Sequence, residues 1–458
     1  MRRSTVRVAA ALLAAAGAIP ASPAAAQEPQ MPVPETTATP AAPARAALDP
    51  TERRIVEWIG DHVDEAIALV AESVEISSPT GDLAGVRRVG DLFARQFEAI
   101  GFATRWVDLP PELDRAGHLV AERRGPEGKR VLVIGHLDTV LPSTGWRREG
   151  NAGHGVGASD MKGGNVVALY ALAALEAAGA LDGKQVIVVF TGDEEEPGRP
   201  REVAREALVA AARESDVALG FEGAVPGTAT VARRGISSWA LTVTATTGHS
   251  SLIFKNSHGY GAIYEAARIL DAMRREVSAE ELLTANPGLL VGGATIGHDS
   301  SEDTGTAAGK TNVIAERVYA EGDLRFISPE QLAAAEARLS AIATTGNLPG
   351  TRAGIEFFPG YPPMAPTPGN HALLAVLDEV SRDLGYGPVE PHDPGARGAA
   401  DVSFVAREVE GALDGLGAMG HREHAADEWV ELDKLPMLIE RAALLVHRLL
   451  QTPREATP

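Results

Sequence analysis

Apolar residues along this chain repeat in two rhythms, and the switch between them marks out the elements. Asp49-Pro50 reads as an N-cap followed by proline at the first helical position. Ile55, Trp58, Ile59, Val63, Ala66, Ile67 and Val70 then recur on one helical stripe. Val86, Val89, Phe93, Phe97 and Ile100 give a second helix, stopped by Gly101. The rhythm then changes to short continuous runs, Val131–Ile134, Val186–Phe190 and Val217–Phe221, which suit strands buried on both faces. Phe102–Val107 and His118–Ala121 are further strand candidates, and the first of the runs is expected to continue to Val140. Asn165 to Ala178 predicts a helix. Strands alternating with helices predict an α/β core.

From about Gly235 the texture differs. Ser237–Thr246 alternates as a half-exposed strand, and a helix is expected over residues 259–274. Strands follow near Val291–Gly297 and at Thr311–Phe326, then a helix from Pro329 to Ala343 and a strand at Gly354–Phe358. That order suits a small α+β unit inserted in the larger one. The closing stretch predicts a helix near His371–Leu384, a strand at Ala412–Gly417 and an amphipathic helix at Leu435–Leu450. No internal repeat is visible.

Composition narrows the chemistry. A net charge of −20 over 458 residues argues against a nucleic-acid surface. The absence of cysteine excludes disulfides, thiolate zinc sites, a cysteine nucleophile and a lipidated N-terminal cysteine. Any metal must be held by His, Asp and Glu. Arg2, Arg3 and Arg7, the apolar run Val8–Ile19 and Ala24-Ala25-Ala26 read as a cleavable secretory signal over residues 1–26. The run is too short to span a bilayer, so no stable membrane anchor is expected. Export points to a bacterial periplasm or to secretion. Residues 27–48, rich in Pro, Ala and Thr, read as a flexible linker.

Candidate chemistry collects at the strand ends. His136 and Asp138 are two apart, so in extended chain both side chains leave from one side. That suits a metal-ligating imidazole with a carboxylate orienting it. The Gly-rich loop Gly153–Gly164 lacks the G-x-x-x-x-G-K-[ST] phosphate pattern, because Lys162 is followed by Gly163. Its Asp160, at a helix entrance, fits a metal site better. The second run ends in Asp193-Glu194-Glu195-Glu196, and the third ends in Glu222. Open α/β sheets place ligands at such strand ends. Within the acidic run either Glu194/Glu195 or Glu195/Glu196 could supply the base and the ligand. His421 and His424 both stand as candidates for a last ligand. His154, His258 and His298 read as surface or loop residues.

The ordered set His136-x-Asp138, Gly157-Ala158-Ser159-Asp160-Met161-Lys162-Gly163-Gly164, Asp193-Glu194-Glu195, Phe221-Glu222 and His424-Ala425-Ala426-Asp427-Glu428 closely resembles the di-zinc metallo-exopeptidases. These include glutamate carboxypeptidase, acetylornithine deacetylase, succinyl-diaminopimelate desuccinylase and aminoacylase. The resemblance spans about residues 50–450. It implies an α/β fold: a mixed-sheet catalytic domain over residues 49–231 and 359–452, with an inserted α+β, ferredoxin-like lid and dimerisation domain over 232–358.

The resemblance also implies roles. Asp160 would bridge two zinc ions, cobalt or manganese being possible instead. His136 and Glu222 would complete one ion's ligands, and Glu195 and His424 the other's, the four-residue step to Glu428 favouring His424 over His421. Asp138 would orient His136, and the peptide bond after Asp160 would be cis. Glu194 would be general base toward a metal-bridging water, the Glu194/Glu195 register being favoured because Asp193 fits the acidic position before the pair. His249, in Gly248-His249-Ser250-Ser251, would reach across a homodimer to the oxyanion. Asn312 and Arg325 would contact substrate, and Arg397 is a further candidate for holding a substrate carboxylate. The function implied is hydrolysis of an amide bond in small peptides, as a carboxypeptidase or dipeptidase. Alternatives are deacylation of N-acyl amino acids on the same metal core, an aminopeptidase of similar core, and a catalytically silent binding protein.

Overall fold

The computed structural model describes residues 48–299 and 304–454. The expected signal segment, and the linker up to residue 47, lie outside the described residues. Helix α1 (Pro50–Glu75) opens with a reciprocal cap: Asp49 Oδ1 accepts the Glu52 N–H at 2.8 Å and Glu52 Oε2 accepts the Asp49 N–H at 2.9 Å. Helix α2 (Leu83–Ala99) follows, then strands β1 (Ala103–Val107), β2 (His118–Arg123) and β3 (Glu127–His136). Helix α3 (Lys162–Ala177), strand β4 (Lys184–Thr191) and strand β5 (Val217–Gly220) complete the first half of the core.

The chain then builds a separate four-stranded sheet. Strand β6 (Gly235–Ala245), helix α4 (Ala262–Val277), strands β7 (Thr284–Gly293) and β8 (Arg317–Phe326), helix α5 (Pro329–Thr344) and strand β9 (Thr351–Pro359) follow in order. The sheet order β7-β8-β6-β9, antiparallel throughout, is the ferredoxin-like arrangement. Alternation explains which face is covered: Trp239, Leu241 and Val243 of β6 pack with Val318, Ala320 and Leu324 of β8 and with Ile269 and Met273 of α4.

After helix α6 (Pro368–Asp383), strand β10 (Gly411–Leu413) joins the edge of the first sheet, and helix α7 (Leu435–Gln451) closes the chain. The first sheet has the order β1-β2-β4-β3-β5-β10. Strands β4, β3, β5 and β10 run parallel, while β1 and β2 make an antiparallel edge. Helices α1, α3 and α7 pack on one face over Val131, Val133 and Val188, and Leu132, Ile134, Ile187 and Val189 fill the other. Phe190 meets Phe93 and Phe97 at ring separations of 5.5 and 5.6 Å. No helix among the described residues is long and apolar enough to cross a membrane.

Three expectations change. The opening strand ends at His136, since Thr139 leaves the sheet to pair with Ser78 and Thr80. Residues 311–316 do not belong to the strand that begins at Arg317; Val313 turns back to pair with His249. Where one strand was expected near Val291–Gly297 there are two, because β7 ends at Gly293 and Thr295–Asp299 pairs instead with Thr304–Ala308. The spacing of apolar residues also gave no sign of a small antiparallel sheet formed by Gly420–His421, Trp429–Glu431, Ala152–His154 and Arg147–Glu149.

Candidate metal centre

Parallel pairing brings the C-terminal ends of β3, β4 and β5 to one edge. His136 is the last residue of β3, Glu194 and Glu195 follow β4 by three and four residues, and Glu222 follows β5 by two. Asp160 enters just before α3, across a cis peptide bond to Met161. His424 sits in the loop before the Trp429 strand with a left-handed φ of 61°, unusual for a residue with a side chain.

Two trios of donor atoms result. His136, Asp160 and Glu222 form one and Asp160, Glu195 and His424 the other, each with its atoms within 4.8 Å of one another. Asp160 belongs to both, its Oδ1 lying 3.0 Å from His136 Nε2 and its Oδ2 3.0 Å from His424 Nε2. Glu222 lies 3.8 Å from His136 Nε2, and Glu195 3.3 Å from His424 Nε2. Glu196 turns away to Arg115, and His421 bonds Glu431 at 3.0 Å and stacks on Trp429.

Asp138 is fully buried and fastens three pieces together. One oxygen lies 3.4 Å from His136 Nδ1 and accepts the Glu194 N–H at 3.0 Å. The other accepts the Glu195 N–H at 3.1 Å and the Thr80 hydroxyl at 2.7 Å. His136 Nδ1 also lies 3.0 Å from the Asp138 carbonyl, and this oxygen and the carboxylate oxygen at 3.4 Å turn the imidazole so that Nε2 faces Asp160. The Asp160 loop is held in turn by Glu428, whose carboxylate accepts the N–H groups of Gly157 (2.9 Å), Ser159 (2.7 Å) and Asp160 (2.9 Å).

Electrostatics at the centre are those of crowded anions. Burial lifts the Glu194 carboxyl well above its ordinary range, and the charge of Glu222 adds to it. Burial pushes Glu222 up to about 8, with Asp160 adding. Burial would also raise Asp160, but hydrogen bonds from His136 and His424 hold it below the usual range. Hydrogen bonds to Asp160 and Glu195 lift His424 to about 11. Mutually repelling carboxylates interleaved with imidazoles, all N and O donors, are the chemistry that divalent cations satisfy. The residues present fit a pair of such ions sharing Asp160.

The inserted-unit candidates lie apart from this cluster. His249 is exposed and its Nδ1 bonds the Ser251 hydroxyl at 2.9 Å; the Asn312 carbonyl accepts the Ser250 N–H at 2.9 Å; Arg325 pairs with Asp323 at 2.7 Å. Arg397 is close to the centre: its guanidinium donates to the carbonyl of Gly223, next to Glu222, while its Nε has no hydrogen-bond partner.

Several contributors carry no sequence signal of their own. Asn165 donates to the His136 carbonyl at 2.6 Å. Tyr361 donates to the Glu194 carbonyl at 2.8 Å. Arg205, fully buried, bonds Asp193 and Asp401 at 2.6 Å each, behind the Glu194–Glu195 turn. Only Glu428 stood inside a recognised motif.

Residues 132–448 match the model of peptidase family M20/M25/M40. Carboxypeptidase G2 of Pseudomonas sp. (strain RS-16) is 24% identical over 399 residues, covering 84% of this chain and 89% of that one. A succinyl-diaminopimelate desuccinylase of Methylobacterium radiotolerans is 28% identical over 398 residues, covering 82% and 94%. The fold matches a tripeptidase from Staphylococcus aureus with a TM-score of 0.65 at 19% identity, over 85% of this chain and 99% of that one. It also matches a dinuclear metal binding peptidase of the M20 family from Bacillus subtilis, with a TM-score of 0.60 at 16% identity over 86% and 99%. With two trios of metal-ligand type at one sheet edge and the family model spanning most of the sequence, the chain belongs to peptidase family M20/M25/M40, as a metallopeptidase or amidohydrolase.

Proposed function

We propose that this protein is a zinc-dependent exopeptidase that cleaves an amide bond of small peptides next to a free carboxyl terminus, with Glu194 as general base. The observation that carries the reading is the pair of trios sharing Asp160, with Glu194 next in sequence to Glu195 of the second trio. His136, Asp160 and Glu222 would hold one ion and Asp160, Glu195 and His424 the other. Bound ions supply a Lewis acid for the scissile carbonyl and acidify the attacking water.

The protein's own groups do the rest. Asp138 and Tyr361 hold the Glu194 main chain from both sides, through its N–H and its carbonyl. The Glu194 carboxylate takes the proton of the attacking water and returns it to the leaving amine, a contribution of about 10²–10⁴-fold. Arg397, whose guanidinium donates to the Gly223 carbonyl beside Glu222, is the candidate for holding a substrate carboxylate, its proximity to Glu222 supporting the reading.

The named relatives favour this reading and its alternative alike. Carboxypeptidase G2 is named a carboxypeptidase, and the desuccinylases support deacylation of an N-acyl amino acid on the same ligands. A homodimer through the inserted unit is supported by the exposed apolar side chains Phe254, Ile263, Tyr264 and Leu290 on the unit that carries His249. Export to the periplasm or out of the cell rests on the composition of residues 1–26. The deciding experiment is hydrolysis of a panel of dipeptides and N-acyl amino acids by wild type and Glu194→Gln, with metal content measured on both. Turnover by wild type and loss of about 10²-fold or more in the variant at equal metal content is expected. Equal inactivity with metal bound would remove the enzymatic reading.

A further inference from the structure

Two connections carry the inserted sheet, and both end in hydrogen bonds to the metal centre. On the outgoing side, Arg233 pairs main chain to main chain with Met364 of the returning side. Its buried guanidinium bonds Asp414 Oδ2 at 2.6 Å and the Gly398 carbonyl at 2.9 Å. Asp414 Oδ1 accepts the N–H of Gly415 at 2.6 Å and, more loosely, that of Glu222 at 3.4 Å. This side is pinned by a buried ion pair. On the returning side, β9 ends at Pro359, and Tyr361 stands two residues later. Its carbonyl accepts the Ile236 N–H at 3.0 Å, so its backbone is fastened to the base of β6. Its hydroxyl reaches the other way, to the Glu194 carbonyl at 2.8 Å.

The ring of Tyr361 is held in place along that span. Phe404 packs on it at 5.0 Å, and the Arg201 guanidinium lies 5.5 Å from its centroid while donating to the Pro359 carbonyl at 3.2 Å. A stiff aromatic lever, attached by its backbone to the inserted sheet and by its tip to the Glu194 peptide, thus joins the two units. We infer that Tyr361 is a positioning residue that couples the placement of the inserted domain to the placement of Glu194. A shift of β6 and β9 carries the Tyr361 backbone with it, and the hydroxyl passes that shift to the turn that bears the base. This rests on the reading of Glu194 as the base, and it concerns the peptide that carries Glu194, not its protonation.

The test is Tyr361→Phe, which keeps the ring and removes only the hydroxyl. With the metal-loaded enzyme and a substrate that wild type turns over, kcat is expected to fall about 5- to 10-fold, the scale of one neutral hydrogen bond, with KM and metal content unchanged. Amide hydrogen exchange in residues 192–196 should quicken in the variant while the melting temperature stays put. In a double-mutant cycle, Arg201→Gln should not add its full effect to that of Tyr361→Phe, since both act through one lever. An unchanged kcat, or a loss of kcat that merely tracks lost metal or a lowered melting temperature, overturns the inference. Inactivity of wild type on every substrate would instead overturn the functional reading on which it rests.

Discussion

The carboxylate of Glu428 accepts the main-chain N–H of Asp160 at 2.9 Å, and so holds the residue common to both trios by its backbone, leaving its side chain free for them. Glu428 is 1% exposed, and burial pushes its carboxyl up to about 7 against the pull of three peptide N–H groups. It sets the direction in which the Asp160 side chain can point.

Removing that support should loosen metal binding before it harms the fold. Glu428→Ala is expected to weaken metal affinity about 10- to 100-fold, as loss of a ligand's supporting partner does. Glu428→Gln, which keeps one acceptor oxygen, should lose less. Competition against a chromogenic chelator measures both, and wild-type affinity in Glu428→Ala would refute the role.

Arg205 bonds both Asp193 and Asp401 where water does not reach, one cation shared between two carboxylates. Arg205→Met leaves two buried carboxylates facing each other and should cost about 3–5 kcal/mol of stability. Arg205→Lys should recover only part, because one ammonium cannot reproduce the fork that also reaches the Asp193 carbonyl at 3.0 Å. Denaturant midpoints on the metal-loaded protein give the comparison; a neutral Met variant would show that the pair adds nothing.

Acid stability should depend on Asp216. Burial would raise its carboxyl, but the Arg130 guanidinium and main-chain N–H (the latter at 2.6 Å) hold it below the usual range. A lowered folded pKa means that the unfolded chain binds the proton more readily. The pair's stabilisation is therefore complete above the unfolded value of about 4 and is lost as pH falls below it. Asp216→Asn should cost about 1–2 kcal/mol at pH 7 and less at pH 2. Urea unfolding at the two pH values checks the difference; an equal cost at both would rule it out.

Much of the centre could be read from order alone, because strands that end at one sheet edge put their next residues together. His136 and Glu222 need only the parallel pairing of β3 with β5 to meet. Local patterning also sufficed for α1, whose cap is written in Asp49-Pro50-Thr51-Glu52. It failed where partners are distant and unpatterned. Thr80, Asn165, Arg205 and Tyr361 each make one decisive bond to a residue far along the chain, and no periodicity announces such a bond. Thr311-Asn312-Val313-Ile314 has strand-like composition, yet the pairing of Val313 with His249 bends it out of the sheet. Tertiary contacts overrode local preference there.

His424 and Glu428 both come after the inserted unit, and α7, which packs on α1 and α3, comes later still. A ribosome must therefore pass the inserted unit and reach residue 424 before the second trio exists. A nascent chain that stops short of His424 carries the His136 trio without its neighbour, so the two halves of the centre are separated in time by the synthesis of the inserted sheet.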